Sequence, residues 1–245
     1  MLVSIVTVCF NSAETIRDTI ESVLRQTYPN IEYLIIDGLS SDDTVSIARE
    51  YEPRFQEKGY SYRIISEKDN GIYDAMNKGI HLSTGALIGI INSDDWYEPN
   101  AVETAVQTYQ EDPFDMFYAD MRIYRCNGST FIKHSRMDRI VTSRHWNHPT
   151  TFVTKAVYDE LGVFRCEGIH DDFDLILRIR KAGKKIVIRN KTLANFRMGG
   201  ASNDKTFPKC KRRCLDRYRC YRNNGYSPLY WIECVAIEAA KFLLS

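Results

Sequence analysis

Ala86-Leu87-Ile88-Gly89-Ile90-Ile91-Asn92-Ser93-Asp94-Asp95-Trp96 is a short apolar run closed by two adjacent carboxylates. A continuous apolar run of this length, bounded by turn residues, reads as a strand buried on both faces, the kind that parallel sheets contain. In open α/β sheets ligands bind beyond the carboxyl ends of such strands, and paired hard oxygen donors there suit a divalent cation escorting phosphate. Adjacent aspartates also cap helix N-termini, where carboxylates meet orphan N–H groups. Pro99, expected as the first residue of the next helix, instead leaves Asp94 and Asp95 in the connecting loop.

Outward from this run, the first half of the chain alternates strand and helix patterns, the signature of a parallel sheet covered on both faces. Leu2 to Phe10 is β-rich, and Asn11 and Ser12 supply cap chemistry for a helix whose Ile16, Ile20, Val23 and Leu24 recur at helical spacing. A second strand, Ile31 to Ile36, runs into Asp37 and a turn-rich segment, and a short helix to about Tyr51 follows. Tyr62 to Ser66 reads as the third strand, Gly71 to Ser83 as a helix, and Pro99 to Gln110 as another. Met116 to Asp120 is a further strand, and Asn127-Gly128 between two β-rich stretches signals a hairpin, so antiparallel strands are expected in the second half. A helix from Asp171 ends at Gly183, a fitting C′ glycine, before a strand from Lys184 to Arg189.

The chain has 245 residues, 44% of them hydrophobic and 27% charged, which suits one large α/β domain with an ample core. A net charge of +1 argues against a nucleic-acid partner. Charge is unevenly placed, however: Lys205 to Arg222 holds eight cations against Asp216 alone. The division expected is therefore a body over residues 1–204 and a helical appendage over 205–245, its second helix from Pro228 to Leu244. Tyr226, Tyr230, Trp231, Phe242, Leu243 and Leu244 beside the cations suggest a membrane surface; packing on the body or a homodimer contact is the other reading. The seven cysteines are odd in number and the chain opens in a strand, so a reducing, cytoplasmic setting is expected. Cys210 and Cys214 stand one helical turn apart, but Cys220 fits no tight zinc pattern.

Parallel strands all end on one side, which brings Thr7 to Asn11, Asp37, Asp69-Asn70-Gly71 and Asp94-Asp95 to a single sheet edge. Strand-end carboxylates accept hydrogen bonds from base or ribose groups, and a cation on the later pair neutralises a diphosphate. No phosphate-cradling glycine loop follows the first strand, so neither a P-loop nor a dinucleotide fold is supported. Val3-Ser4-Ile5-Val6-Thr7-Val8-Cys9-Phe10-Asn11, Asp37-Gly38-Leu39-Ser40-Ser41-Asp42-Asp43-Thr44, Glu67-Lys68-Asp69-Asn70-Gly71-Ile72-Tyr73-Asp74-Ala75-Met76-Asn77-Lys78-Gly79 and Asn92-Ser93-Asp94-Asp95-Trp96-Tyr97, in this order, resemble the family-2 inverting glycosyltransferases. The resemblance covers residues 1–200 and implies the GT-A fold, a nucleotide-sugar donor and Mg²⁺ or Mn²⁺.

Position by position, it implies that Asp37 contacts the base, Asp69 lines the nucleotide pocket, and Thr7, Phe10 and Asn11 form its floor. Asp94 would meet ribose or metal, and Asp95 would be the principal ligand of the metal and diphosphate. The family often carries Asp where this chain has Asn92, so the metal site rests on one or two carboxylates. Transfer needs a base for the acceptor hydroxyl. His170-Asp171-Asp172-Phe173-Asp174-Leu175 resembles the family's Glu-Asp-x-Asp-Leu segment, making Asp172 the base with Asp171 beside it, although both also suit a helix start. His148-Pro149-Thr150-Thr151-Phe152 resembles the segment beside acceptor and donor sugar. Arg197-Met198-Gly199-Gly200-Ala201-Ser202 resembles a closing loop in which Arg197 stabilises the leaving group. The reading is inverting transfer of a sugar to a sugar or lipid-linked hydroxyl acceptor in polysaccharide or glycan assembly. Asn92 and Asp171, the two departures, support the alternative of an inactive nucleotide-sugar-binding or partner subunit, and nucleotidyl transfer lacks its glycine-rich loop.

Overall fold

In the computed structural model, residues 1–138, 140–142, 144–199 and 206–243 are described, the last three as backbone only. Four strands open the sheet: β1 (Val3–Cys9), β2 (Ile31–Asp37), β3 (Ser61–Ser66) and β4 (Leu87–Asn92). All four are parallel, in the spatial order β3-β2-β1-β4. Their register aligns the ends that matter: Cys9 pairs with Asp37, Asp37 with Ser66, and Val8 with Asn92. The helices between them are α1 (Ile16–Leu24), α2 (Thr44–Arg49), α3 (Glu52–Glu57) and α4 (Ile72–Leu82).

The second half adds β5 (Trp96–Tyr97), α5 (Ala101–Glu111), β6 (Met116–Tyr124), β7 (Thr130–Lys133), β8 (Phe152–Thr154), α6 (Lys155–Leu161), α7 (Asp171–Lys181) and β9 (Ile186–Arg197). The order continues β4-β8-β6-β9-β5, with β7 paired to β6. β8, β5 and β7 run antiparallel to their neighbours and β9 runs parallel to β6. The mostly parallel α/β sheet flanked by helices and the antiparallel additions are as expected.

Alternating side chains of β1 divide the core. Val3 and Ile5 pack with Ile16, Ile20 and Val23 of α1, Phe55 of α3 and Ala101 to Val106 of α5. Val6 and Val8 pack on the opposite face with Ala75, Met76 and Ile80 of α4 and Ile176 and Ile179 of α7. Gly79 lets α4 sit this close, because a Cβ there would come 2.3 Å from Val6 Cγ1.

Several expectations are corrected. The helix after Asp95 does not start at Pro99: β5 intervenes, and α5 begins at Ala101 with Asn100 at its N-cap. Asn11 and Ser12 do not cap α1, whose N-cap is Thr15. Asn11 takes a left-handed backbone (φ 48°), and its side-chain oxygen accepts the Ser41 N–H at 2.9 Å, so it ties the β1 loop to the β2 loop. The two β-rich pieces around Met121 form one strand. β9 continues through the polar Asn190-Lys191 to Arg197, bulging against β6 at Ala119 to Met121. Exposed polar residues inside a strand break the apolar pattern on which sequence reading relies.

The tail consists of α8 (Phe207–Asn223) and α9 (Tyr230–Leu243), and the division expected at 204/205 lies outside the described residues. The pair builds its own apolar cluster against α7 from Phe173, Leu177, Cys214, Cys220, Tyr221 and Cys234. Phe173 and Tyr221 meet edge to face at 5.3 Å, and the Tyr221 hydroxyl donates to the Val141 carbonyl at 2.6 Å. The appendage is therefore packed on the body.

Gly79→Ala should destabilise the protein by about 1–2 kcal/mol in urea titrations, since overpacking against a β-branched strand residue costs ~1–3 kcal/mol and alanine's helix propensity returns up to ~1. An unchanged midpoint would show that α4 has room to retreat.

Candidate functional site

Asp37 closes β2 with no exposed surface. Its carboxylate accepts from the Ser40 N–H at 3.0 Å, the Ser66 hydroxyl at 2.6 Å, the Ser40 hydroxyl and, weakly, the Cys9 thiol at 3.6 Å. All four lone-pair positions are engaged, so Asp37 in this structure holds the β2 and β3 ends together. Burial and then the charge of Asp37 push the Cys9 thiol far up, so it stays neutral. Asp69 sits directly over Gly38: a Cβ on Gly38 would fall 2.4 Å from its carboxylate oxygen and 3.4 Å from the Phe10 ring. Phe10 is 62% exposed and Leu39 59%, an apolar ledge at the strand ends that suits a stacked base. Thr7 is not part of that ledge. It is wholly buried two residues before the strand end and accepts a hydrogen bond from Tyr33 at 3.0 Å.

The β4 carboxylates are divided between interior and cleft. Asp95 is fully buried. Its Oδ1 accepts the Arg197 N–H at 3.1 Å, while its Oδ2 and the Asn92 Oδ1 are buried without a hydrogen-bond partner among the described residues. Burial, and then the adjacent Asp94 charge, push the Asp95 carboxyl well above the usual carboxylate range. Asp94 is half-buried and shifted upward by burial, with Arg197 opposing. Orphaned hard oxygens beside two upshifted carboxyls fit a divalent cation, which would satisfy both the lone pairs and the charge. No set of three or more His, Cys, Asp or Glu side chains among the described residues forms a cation cage. Such an ion would therefore take most of its ligands from phosphate and water.

Arg197 completes this side. Its guanidinium lies 5.1 Å over the Trp96 ring and pairs with Asp18 at 2.7 Å, an exposed pair that an incoming diphosphate would compete for. Gly200, Ala201 and Ser202 of the expected closing loop lie outside the described residues. Thr19 of α1, which sequence reasoning missed, donates to the Asp95 carbonyl at 2.6 Å and pins the turn. Its signal was a hydroxyl, like that of Ser22, on the inward stripe of a mainly apolar helix face.

The second cluster surrounds α7. Asp172 Oδ2 stands 3.9 Å from His148 Nδ1, a long contact with both side chains mostly buried. The two form the polar wall of a cavity of about 20 Å³, also lined by Ile90, Trp146, Thr151 and Ile176, and large enough for one water. Ile90 belongs to β4, two residues before Asn92, so the cavity adjoins the strand that carries the paired aspartates. Burial pushes the His148 ring below the usual histidine range, with Asp172 opposing. Tyr73, also missed, donates from its hydroxyl to the Ile169 carbonyl at 3.2 Å; burial and the Asp172 charge keep its phenol protonated. It joins the Asp69 segment to the Asp172 segment.

Asp171, expected to share the base role, faces the other way. It is buried, accepts the N–H groups of Glu167 and Gly168 at 2.7 and 3.1 Å, and lies 3.9 Å from Arg219 of α8. Its observed work is to fold the loop before α7. Asp174 serves the helix, bridging Arg178 at 3.1 Å, and also binds Arg165 and the Asn224 amide.

The family model described as glycosyl transferase family 2 matches residues 4–170, the stretch that carries every site residue above except those of α7, Arg197 and the tail. The chain belongs to this family. As a family-2 glycosyltransferase it is 29% identical over 166 residues to a PGL/p-HBAD biosynthesis glycosyltransferase of Mycobacterium tuberculosis, covering 66% of this chain and 62% of that one. It is also 38% identical over 114 residues to a chondroitin synthase of Escherichia coli, covering 45% of this chain and 16% of that one. The chain thus spans about three fifths of the M. tuberculosis relative's length. S. aureus TarS in complex with UDP-GlcNAc superimposes with a TM-score of 0.67 at 16% identity, over 98% of this chain and 72% of that one. The mannosyltransferase PcManGT from Pyrobaculum calidifontis, in complex with GDP-Man and Mn²⁺, does so with a TM-score of 0.65 at 16% identity, over 98% and 70%. The fold is GT-A.

A depressed histidine pKa means that the unfolded chain binds the proton more readily than the folded one. The neutral His148 ring then contributes stability that is complete above the unfolded value of about 6.5 and is lost as pH falls through the folded value. His148→Gln should therefore lose less stability than the wild type when urea midpoints are compared from pH 8 down to about pH 5. Parallel pH slopes would contradict a buried neutral His148.

Proposed function

We propose that this family-2 glycosyltransferase moves a sugar from a nucleotide-diphosphate donor to a hydroxyl acceptor by a single inverting displacement. The observation that carries the reading is the placement of the Asp172–His148 wall against β4, the strand that ends at Asn92 and runs into Asp94 and Asp95. Phe10, Leu39 and Asp69 supply the base and ribose end of the donor site, with Asp37 and Asn11 holding the loops under them.

The acceptor hydroxyl attacks the anomeric carbon as its proton passes to Asp172. The bond from that carbon to the diphosphate breaks, and the nucleoside diphosphate leaves from the opposite face. His148, kept neutral by burial, stands beside Asp172 on the cavity wall and orients the acceptor hydroxyl toward it. Mg²⁺ or Mn²⁺ held by Asp94 and the free oxygens of Asp95 and Asn92 would neutralise the diphosphate charge. Arg197, on its Trp96 platform, exchanges Asp18 for the leaving diphosphate.

Glycan or polysaccharide assembly is the setting that relatives named for chondroitin and PGL/p-HBAD synthesis support. The location proposed is the cytoplasm, peripheral on the inner face of the membrane, beside a sugar or lipid-linked acceptor. No described helix is long and apolar enough to cross a membrane.

The test is a panel of nucleotide sugars scored first by thermal stabilisation with and without Mn²⁺, since a bound donor raises stability by mass action. Asp172→Asn should keep donor stabilisation but lose transfer by about 10²–10⁴-fold, the usual worth of a general base. Asp95→Asn and Asp94→Asn should lose the metal-dependent part of donor stabilisation. Transfer surviving in both Asp172→Asn and Asp95→Asn would overturn the mechanism.

A further inference from the structure

α9 is built inside out. Trp231, Ile232, Val235, Ala236, Ala239 and Ala240 are exposed, and their spacing places them on one stripe of the helix. The stripe carries no charge. The acids of the same helix turn inward: Glu238 lies 2.8 Å from Arg213 and 3.5 Å from Arg217, and Glu233 receives the Tyr221 hydroxyl at 3.3 Å. A surface helix that met only water would do the reverse. Ile232 is 67% exposed, and Leu229, just before the helix, is 72% exposed.

α8 extends the patch. Phe207, Lys211, Leu215, Tyr218 and Arg222 follow one another at three- and four-residue steps along one side of that helix. Phe207 is 76% exposed and Leu215 47%, and the Tyr218 ring meets Trp231 edge-on at 5.2 Å, joining the two rows. Lys211 and Arg222 are exposed, whereas none of the described carboxylates on α8 and α9 is. The result is a continuous apolar surface bordered by cations and free of exposed anions.

Such a surface matches the boundary of an anionic bilayer, where acyl chains receive the apolar stripe and headgroups receive the cations. A second copy seated by a two-fold axis would instead gather Lys211 and Arg222 of both copies in one interface with no exposed acid among the described residues of either helix to compensate. We propose that α9, with the Phe207-to-Arg222 row of α8, docks on an anionic lipid surface with α9 lying in the plane of the interface. This deepens the peripheral location proposed above and rests on it. It also replaces the residues expected from sequence: Arg213 and Arg217 are buried on Glu238, and Tyr226 and Tyr230 pack around Tyr221. Of the remaining aromatic and aliphatic residues, the side chains of Phe242 and Leu243, and all of Leu244, lie outside what the structure describes. Opposite the docking row, Cys220 donates to the His170 carbonyl at 3.4 Å and Arg219 to the Glu167 carbonyl at 2.8 Å. The helix that meets the lipid thus also holds the segment carrying Asp172, which would bring a lipid-linked acceptor toward the base.

The test is co-sedimentation of the full chain, without donor, on phosphatidylcholine–phosphatidylglycerol vesicles and on phosphatidylcholine vesicles. Binding to the anionic vesicles is expected, roughly tenfold weaker on neutral ones and weakened at least roughly tenfold by the double variant Ile232→Glu/Val235→Glu. Both substituted residues are exposed, so the variant should keep the wild-type melting temperature and donor-induced stabilisation. Equal sedimentation of wild type and double variant would overturn the proposal. So would a dimer in light scattering that the double variant abolishes while neither protein binds vesicles. Donor stabilisation measured in parallel separates the two readings: vesicle binding can fail while the donor still binds, and the reverse.

Discussion

A carboxylate with no exposed surface, Asp95, ties together parts of the chain that are far apart in sequence. Its Oδ1 receives the backbone N–H of Arg197 at the end of β9, and its carbonyl receives the hydroxyl of Thr19 in the middle of α1. Burying an ionisable group costs free energy unless its lone pairs and charge are met, and the described residues meet only one of its two oxygens. Short β5 pairs Trp96 with Asn195 at the same place, and Arg197 lies over Trp96. The long excursion of β9 past its polar interruption, the edge strand and the guanidinium platform all converge on holding this turn. A turn that carries a buried, half-satisfied carboxylate is thereby built into the frame of the sheet.

The end of the sheet beneath Phe10 and Leu39 follows a different logic. There the backbone is strained in small steps, with Asn11 and Leu39 both at positive φ, and polar side chains compensate: Asp42 accepts from Ala13 and Thr44, and Ser40 donates to Asp37. The two loops are hydrogen-bonded to each other before any ligand arrives, so the exposed Phe10 and Leu39 rest on a preorganised base.

The sheet was legible where apolar runs were unbroken. β1, β2 and β4 are buried along nearly their whole length, and the period of the pattern and the turn residues after them suffice to place them. β5 and β8, with two and three residues, are held by tertiary pairing and leave no local period to read, and β9 hides behind Asn190 and Lys191. Residue types and order sufficed to gather Asp37, Asp69, Asp94 and Asp95 at one sheet edge, since carboxylates beyond parallel strands converge whatever their side-chain directions. Orientation was not legible. Thr7 faces Tyr33, Asp171 turns to the Glu167 and Gly168 amides, and Asp95 points inward, because each choice depends on partners 26, 4 and 102 positions away. The tail misled for the same reason: charge composition does not say which arginines find a buried Glu238.

The anchorage of α7 has a consequence for how such enzymes exchange parts. Asp171, Asp174 and the carbonyls of Glu167 and His170 are held by Arg219, Asn224 and Cys220, all from the two-helix tail. The family model ends at residue 170, where this dependence begins. A chimaera that joined residues 1–170 to another relative's C-terminal region would keep Phe10, Leu39, Asp69, Asp94 and Asp95 but replace Asp172, Arg197 and every clamp on α7. Grafts across the family should therefore transplant α7, α8 and the turn at Asn224 as one block, and recombination that preserves activity is constrained to fall upstream of it.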